Sequence, residues 1–257
     1  MTAATKILHR NLLVYRRTFR GSIFSSFVTP LLYLTAMGVG LGSMVTASGS
    51  RLIGGYEFTH FLGPGLMAAT CMQSAVFEST FPIMGKIVWR RNYEAMLATP
   101  IAVRDILGGE LLWIAFRMVL ISTVFLGVLT LFAIPRSPLA LLGIPAAVLT
   151  GVAFSAAIIS FAATQRNDAG FAWMFRFVIN PLFLFSGTFF PLSQLPAPAH
   201  WLAAATPLYH GVSLTRGLIL GDDTLLAGWY WHVSYLVAFT GIFAVVAHRL
   251  LSRRLVS

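Results

Sequence analysis

Long runs without charged residues are the feature of this sequence that most limits its fold. No Asp, Glu, Lys or Arg occurs between Arg20 and Arg51, or between Arg136 and Arg166. A helix that crosses a bilayer needs about 20 mostly apolar residues, and each run exceeds that length. Hydrophobic residues make up 57% of the 257 residues and charged residues only 10%, whereas soluble domains contain about 25% charged residues. The sequence predicts an integral membrane protein and excludes a soluble or disordered chain.

Six charge-poor intervals are long enough to form transmembrane helices. They are uniformly apolar, whereas the strands of a membrane β-barrel alternate in polarity over segments of about ten residues. We therefore predict an all-α membrane protein with six transmembrane helices in one domain, residues 1–257. The predicted spans are 22–44, 60–84, 106–133, 139–163, 171–190 and 228–248.

The positions of the basic residues predict the orientation of the chain. Six spans place both termini on one side, and that side carries thirteen of the 18 Lys and Arg residues. Short loops that are rich in Lys and Arg remain in the cytoplasm. We therefore expect cytoplasmic termini and a cytoplasmic 85–105 loop. Topology accounts for the net charge of +10, so nucleic acid is not an expected partner.

The stretch between Arg176 and Arg216 contains 39 uncharged residues, too many for one span. Its prolines are too closely spaced for one continuous helix, and irregular backbone cannot face lipid. We therefore expect residues 192–220 to form an external re-entrant hairpin, packed on the protein between spans five and six. The residues that mark this segment are Pro191, Pro196, Pro207, Tyr209 and His210.

The first 20 residues have the pattern of an amphipathic helix that lies in the membrane interface. At 100° per residue, one face collects the basic side chains and the opposite face collects apolar ones. The alternative is a basic flank that only fixes topology. The basic face consists of Lys6, Arg10 and Arg17, and the apolar face of Leu8, Leu12, Tyr15 and Phe19.

A short helix is predicted over residues 92–99 of the cytoplasmic loop. Asn92 is a suitable N-cap, Glu94 suits the first turn, and Pro100 ends the helix. Two helical turns are not stable alone in water, so the helix has to pack on something. It either packs on its own bundle or binds a cytoplasmic partner. Its apolar ridge would consist of Tyr93, Met96, Leu97 and Pro100.

Three charged residues fall inside the second and third predicted spans: Glu78, Glu110 and Arg117. Charges inside a membrane are costly and are candidates for function. Glu78 and Arg117 lie at similar depths, which makes an ion pair between them plausible. Such a pair either locks the two spans together and transmits motion, or the charges line a substrate path.

Segments of the loop and of the region after span five resemble the ABC-2 type exporter permeases. They are NYEAMLATPI at 92–101, FSGTFFPL at 185–192 and TPLYHG at 206–211. The likeness covers essentially the whole chain, and the branches that it resembles most are the nodulation-factor (lipo-oligosaccharide) and daunorubicin-type drug exporter permeases.

The resemblance implies a half-transporter in a bacterial inner membrane that pairs with a second copy and binds two separate ABC ATPase subunits. Its cargo would be an amphipathic drug, lipid or lipo-oligosaccharide. ATP and Mg would be held by the ATPase, because neither lysine of this chain, Lys6 or Lys86, lies in a P-loop pattern. The 92–99 helix would be the coupling helix that fits the ATPase. The expected coupling residues are Arg90, Arg91, Asn92, Tyr93, Glu94, Met96, Leu97, Thr99 and Pro100.

Two other classes of function stay open from the residues alone. A secondary transporter driven by an ion gradient could use Glu78 as its proton carrier, although the internal repeat typical of such folds is not visible. An intramembrane enzyme would need a nucleophile with a base, or a metal site. The six histidines follow no metal-binding spacing, and for His210 a hydrogen bond is the expected role.

Overall fold

The computed structural model describes residues 3–16, 19–42, 55–192 and 196–255, and within these ranges it contains helices and no β-strand. This agrees with the predicted all-α class. Arg17, one of the basic residues predicted for the interfacial helix, lies outside the described residues. The end of the first predicted span and residues 193–195 of the predicted hairpin also lie outside them.

The chain begins with three helices. Helix α1 covers Ala3–Tyr15, and α2 covers Phe19–Tyr33 and continues as a π-helical stretch, Leu34–Leu41. Helix α3, Phe58–Ser79, is buried along most of its length. Its small and apolar residues allow close approach on several sides, so α3 forms the centre of the bundle.

A succession of short elements follows α3 and leads into a long helix. Helix α4, Phe81–Met84, continues into a π-helical turn, Gly85–Trp89, and the two-turn helix α5 covers Asn92–Leu97. Helix α6, Val103–Leu131, starts where the Asp105 carboxylate accepts a hydrogen bond of 3.0 Å from the backbone N–H of Ala102. That bond satisfies one of the free amides at the helix start.

Helix α7, Gly143–Thr164, follows a 3₁₀ turn at Pro138–Leu142. Helix α8, Ala169–Met174, is joined to α9, Asn180–Phe185, by a π-helical turn. Helix α7 packs closely on α6, because a Cβ at Gly151 would lie only 2.8 Å from the Cγ of Met118.

The last part of the chain contains four helices. They are α10, Ala197–Ala204; α11, Pro207–Leu220; α12, Asp223–Leu226; and α13, Trp229–Leu255. Helix α11 is largely buried and packs against α3, α7 and α13. Two consecutive helices, α10 and α11, therefore occupy the segment that was expected to be a hairpin, and the second lies inside the bundle.

Within the described part of the chain, three helices are long and apolar enough to cross a membrane: Val103–Leu131, Pro138–Thr164 and Trp229–Leu255. They coincide with the third, fourth and sixth predicted spans. The fifth span was placed too far along the chain, because the apolar helix from Ala169 ends at Phe185 rather than at residue 190. Gly187 then adopts a positive φ of 84°, a turn conformation that glycine allows and that a helix cannot contain.

Candidate functional site

An ion pair joins helices α3 and α6 within the bundle. The Nη2 of Arg117 lies 3.0 Å from the Oε1 of Glu78, and both side chains are mostly buried. The predicted pairing of Glu78 with Arg117 is therefore confirmed. The guanidinium of Arg117 also lies over the ring of Tyr15 in α1, 4.9 Å from its centroid. Arg117 of α6 thus contacts two other helices, α3 and α1.

A second ion pair ties the segment before α5 to the start of α6. The Nζ of Lys86 lies 2.6 Å from the Oε2 of Glu110, whose side chain is only 2% exposed. The sequence indicated that Glu110 lies within a span, but it did not indicate a partner for this carboxylate. The sequence placed Lys86 in the cytoplasmic loop. It did not indicate Glu110 as the partner of Lys86, because the distance between them depends on how that loop folds back.

Helix α5 starts differently from the prediction. Asn92 is the first helical residue rather than the N-cap, since Arg91 occupies the cap position with a left-handed backbone, φ 47°. No side chain caps this end of the helix. With its amide oriented to satisfy the surrounding groups, Asn92 accepts a hydrogen bond of 3.1 Å from Arg10 and donates one to the carbonyl of Arg90. Asn92 therefore connects α5 to α1.

The predicted apolar ridge of α5 is divided between the bundle and the surface. Tyr93 is fully buried, Met96 and Leu97 are half-buried, and Pro100 is exposed. Burial, together with the nearby Glu110 carboxylate, raises the pKa of Tyr93 well above its ordinary value, so the phenol stays neutral. Tyr93 thus anchors α5 on its own bundle. The exposed residues of this segment are Arg90, Arg91, Glu94, Ala95, Ala98, Thr99 and Pro100.

Helix α1 packs against α6 through a face that the sequence did not single out. Ile7 and Asn11 are its buried residues, and Gly109 of α6 leaves room for Ile7, because a Cβ there would lie 2.7 Å from that side chain. The predicted apolar residues Leu8, Leu12 and Tyr15 are only half-buried. Of the predicted basic face, Lys6 is exposed and Arg10 is half-buried. The face of α1 that packs on the bundle is therefore rotated toward Arg10, because Gly109 of α6 leaves room on that side.

These elements line an open cavity of about 660 Å³ with a mixed polar and apolar wall, between α1, the segment before α5, and α6. Basic, acidic and aromatic side chains share its wall. We name it the α1 cavity. It brings together two of the three predicted intramembrane charges and two of the predicted coupling residues. Its charged lining residues are Arg10, Glu78, Lys86, Arg90 and Arg117.

A buried arginine organises the opposite end of the bundle. The Nε of Arg216 in α11 donates to the carbonyl of Phe61 at 3.1 Å, and its Nη2 donates to the carbonyl of Gly187 at 2.9 Å. Its guanidinium lies 3.8 Å from the centroid of the Phe61 ring. The sequence reading placed Arg216 on the outer side and gave it no role. Arg216 in fact links α11, α3 and the turn after α9.

Two marker residues of the predicted hairpin lie beside this arginine. Pro207 is buried in the first turn of α11, whereas Pro196 is exposed. A cavity of about 340 Å³ lies beside Arg216, and its lining includes Pro191 and Tyr209. Pro191 and Tyr209 therefore lie close to Arg216.

His210 makes a hydrogen bond, as the sequence led us to expect. Its Nδ1 lies 2.8 Å from the Nδ1 of His232 in α13, and its ring stacks on Tyr235 with the centroids 4.0 Å apart. Among the described residues no group of three His, Cys, Asp or Glu side chains could hold a metal ion. His210 thus joins α11 to α13.

Comparison with known proteins identifies the family. Residues 3–220 match the family model described as ABC-2 type transporter. The chain belongs to this family. It is 32% identical to Nodulation protein J of Rhizobium leguminosarum bv. viciae, over 97% of the chain and 93% of that protein. It is 28% identical to Nodulation protein J of Rhizobium meliloti (strain 1021), over 97% and 92%. It is 24% identical to the inner membrane transport permease YadH of Escherichia coli K12, over 91% and 88%.

Membership of the ABC-2 family confirms the resemblance drawn from the loop and hairpin segments. It establishes the chain as a membrane transport component. The match begins at residue 3 and ends at residue 220, so it includes the α1 cavity, helix α5 and Arg216. The two ends of the bundle described above are therefore parts of the ABC-2 domain.

Proposed function

We propose that this chain is the membrane-spanning permease subunit of an ATP-driven exporter. It would pair with a second copy, cross the bacterial inner membrane six times with both termini in the cytoplasm, and bind two ABC ATPase subunits. ATP and Mg would be held by those subunits. The cargo would be an amphipathic molecule, which suits spans that are largely apolar with few charges.

The observation that carries the proposal is the two-sided character of helix α5. One side is anchored in the bundle by the buried Tyr93, while Glu94 and Ala95 on the other side are exposed. A short helix that is fixed on one side and free on the other can dock into a partner without being dislodged. We therefore assign α5 as the coupling helix.

Motion of α5 has a direct route into the spans. Tyr93 is buried close to Glu110, Glu110 binds Lys86, and Arg117, two turns further along α6, binds Glu78 of α3. Ion pairs of low exposure resist separation, because an unpaired buried charge is strongly unfavourable. A displacement of α5 by the ATPase would therefore move α3 and α6 together rather than being absorbed in the loop.

Co-expression with a candidate ABC ATPase subunit tests the proposal. The Glu94→Arg variant places a large cation on the exposed side of α5, and we expect loss of ATPase retention during purification and loss of ATP-dependent export. Asp168→Arg is the matched control, since Asp168 is an exposed acid in the loop after α7, on the same predicted side. If Glu94→Arg retains the ATPase and exports as well as Asp168→Arg, the coupling assignment is wrong.

The alternative of an ion-driven transporter makes the opposite prediction. A proton carrier has to exchange its proton with both sides, but the Glu78 carboxylate lies 3.0 Å from Arg117 and is held in an ion pair. We therefore favour a structural role for Glu78. Export that stops when ATP is depleted and continues when the proton gradient is collapsed supports the ATP-driven proposal, and the reverse result supports the ion-driven alternative.

A further inference from the structure

Two residues that line the α1 cavity carry hydrogen-bond donors that have no acceptor. The Nδ2 of Asn11 and the Nη1 of Arg10 are buried, and neither has a hydrogen-bond partner among the described residues. Asn11 is only 8% exposed, and both residues line the cavity. A buried donor without an acceptor costs free energy that a bound acceptor would recover.

The charges around these donors favour an anion. Four basic side chains line the cavity and Glu78 is its one lining carboxylate. Glu78 is already engaged by Arg117, and Lys86 is engaged by Glu110. Within the described part of the chain, neither Arg10 nor Arg90 forms an ion pair with a carboxylate. An anionic ligand would balance this positive charge.

The remaining lining residues favour an amphiphile. Aromatic side chains form the rest of the wall, among them Tyr15, Trp89 and Trp113. Residues of this type are enriched at the level of lipid headgroups, and α1 carries the pattern of an interfacial helix. A guanidinium and an amide side by side suit the several acceptor oxygens of a phosphate.

We infer that the α1 cavity binds the phosphate group of an anionic membrane phospholipid. A shift of the protein atoms that cover Arg10 Nη1 and Asn11 Nδ2 lets both donors reach the phosphate oxygens, while the Nη2 of Arg10 is held in place by Asn92. The lipid thus fills the space between α1 and the segment that leads to α5. Binding requires only this chain, so the inference stands or falls separately from the proposed coupling to an ATPase.

Native mass spectrometry of the purified chain in a nonionic detergent tests the inference. Palmitoyl-oleoyl-phosphatidylglycerol is titrated against the wild type and its variants, with palmitoyl-oleoyl-phosphatidylcholine as the zwitterionic comparison. We expect one tightly bound phosphatidylglycerol in the wild type. Arg10→Gln and Asn11→Leu should each weaken its binding by about tenfold, the size expected for a charge-assisted hydrogen bond.

Lys6→Gln is the matched control, because Lys6 lies one helical turn from Arg10 but is exposed and does not line the cavity. Its affinity for phosphatidylglycerol should equal that of the wild type. Arg10→Lys, which keeps the charge, should bind better than Arg10→Gln and guards against a variant that merely fails to fold. Equal weakening by Lys6→Gln and Arg10→Gln, or equal binding of both lipids, would overturn the inference.

A second arm distinguishes a lipid headgroup from a free anion. Inorganic phosphate is added in millimolar excess to the complex with phosphatidylglycerol. Retention of the lipid supports a site for the headgroup of a bilayer lipid. Displacement of the lipid by phosphate, with the same dependence on Arg10, identifies a site for soluble phosphate and contradicts the assignment to a lipid.

Discussion

The Nζ of Lys86 and the Oε2 of Glu110 lie 2.6 Å apart, and this contact fastens the segment before α5 to the first turns of α6. Glu110 is almost completely buried, whereas Lys86 keeps some contact with the surface. The pair lies beside Tyr93, the residue that anchors α5. The Glu110 carboxylate therefore lies where the anchor of α5, on which a partner would dock, joins the packed spans.

Removal of the Glu110 carboxylate should destabilise the protein. Glu110→Ala leaves the ammonium of Lys86 without its partner, and the free energy of unfolding should fall by about 3 kcal/mol. The double variant Lys86→Met/Glu110→Leu should recover most of that loss, because no charge is then left unpaired. Unfolding of the purified chain by a denaturing detergent measures the effect. A loss no greater than that of Asp168→Ala, at an exposed acid, would contradict this reading.

The Glu78–Arg117 pair should tolerate an exchange of its two charges. We expect Glu78→Arg and Arg117→Glu each to abolish ATP-dependent export, because each places two like charges together in the bundle. The combined exchange should restore part of the export, since the attraction is regained. ATP-dependent transport into inverted membrane vesicles measures the export activity of each variant. A protein that needs Glu78 as a proton carrier would remain inactive after the exchange.

Arg216 should be essential for the stability of the end of the bundle formed by α11. Arg216→Met leaves the carbonyls of Phe61 and Gly187 without this donor, and the expected loss is about 2–3 kcal/mol in the free energy of unfolding. Arg216→Lys should restore little, because an ammonium cannot reproduce the fork of the guanidinium or its stacking on Phe61. Arg136→Met, at an exposed arginine, is the control. Protease cleavage between α10 and α11 reports the local loosening.

A pH dependence is expected where the segment before α3 meets the loop after α11. The Tyr56 hydroxyl donates to the Asp222 carboxylate at 2.9 Å. Burial alone would raise the pKa of Asp222, but hydrogen bonds from Thr224 and Tyr56 outweigh it and hold the pKa below 3.8. A carboxyl whose pKa is lowered by folding stabilises the folded state above its unfolded pKa. That stabilisation is lost as the pH falls through the folded value.

Tyr56→Phe should therefore lower stability at neutral pH by less than about 1 kcal/mol, since the contact is only partly buried. The difference between Tyr56→Phe and wild type should disappear as the pH falls through the folded pKa of Asp222, which lies below 3.8. Thermal unfolding of both proteins from neutral pH to below 3.8 measures this difference in stability. A difference that persists unchanged at low pH would show that the hydroxyl acts independently of the Asp222 charge.

The sequence predicted those parts of the molecule that depend on local properties. Charge-poor apolar runs predicted the long helices α6, α7 and α13, because length and composition decide membrane insertion. Pro100 placed the end of α5 to within a few residues. The pairing of Glu78 with Arg117 followed from equal depth in neighbouring spans. Each of these inferences needs only chain distance or composition.

The contacts that the sequence missed depend on tertiary packing. Lys86 reaches Glu110 only because the chain turns through Gly85–Trp89 and returns along α6. Arg216 reaches Phe61, more than 150 residues away, and no periodicity indicates such a partner. The N-terminus of α5 was misread because Arg91 adopts a left-handed backbone, which removes Asn92 from the cap position that its residue type favours.

Site-specific crosslinking from α5 tests the central claim most directly. Cys71 is the only cysteine of the chain, and it is buried, so Ala95→Cys supplies a single accessible thiol on the exposed side of α5. A benzophenone attached to that thiol is irradiated after co-purification with the candidate ABC ATPase. We predict a crosslink to the ATPase from Ala95→Cys and none from Asp168→Cys. Failure of Ala95→Cys to crosslink in a complex that still exports with ATP would contradict the assignment of α5 as the coupling helix.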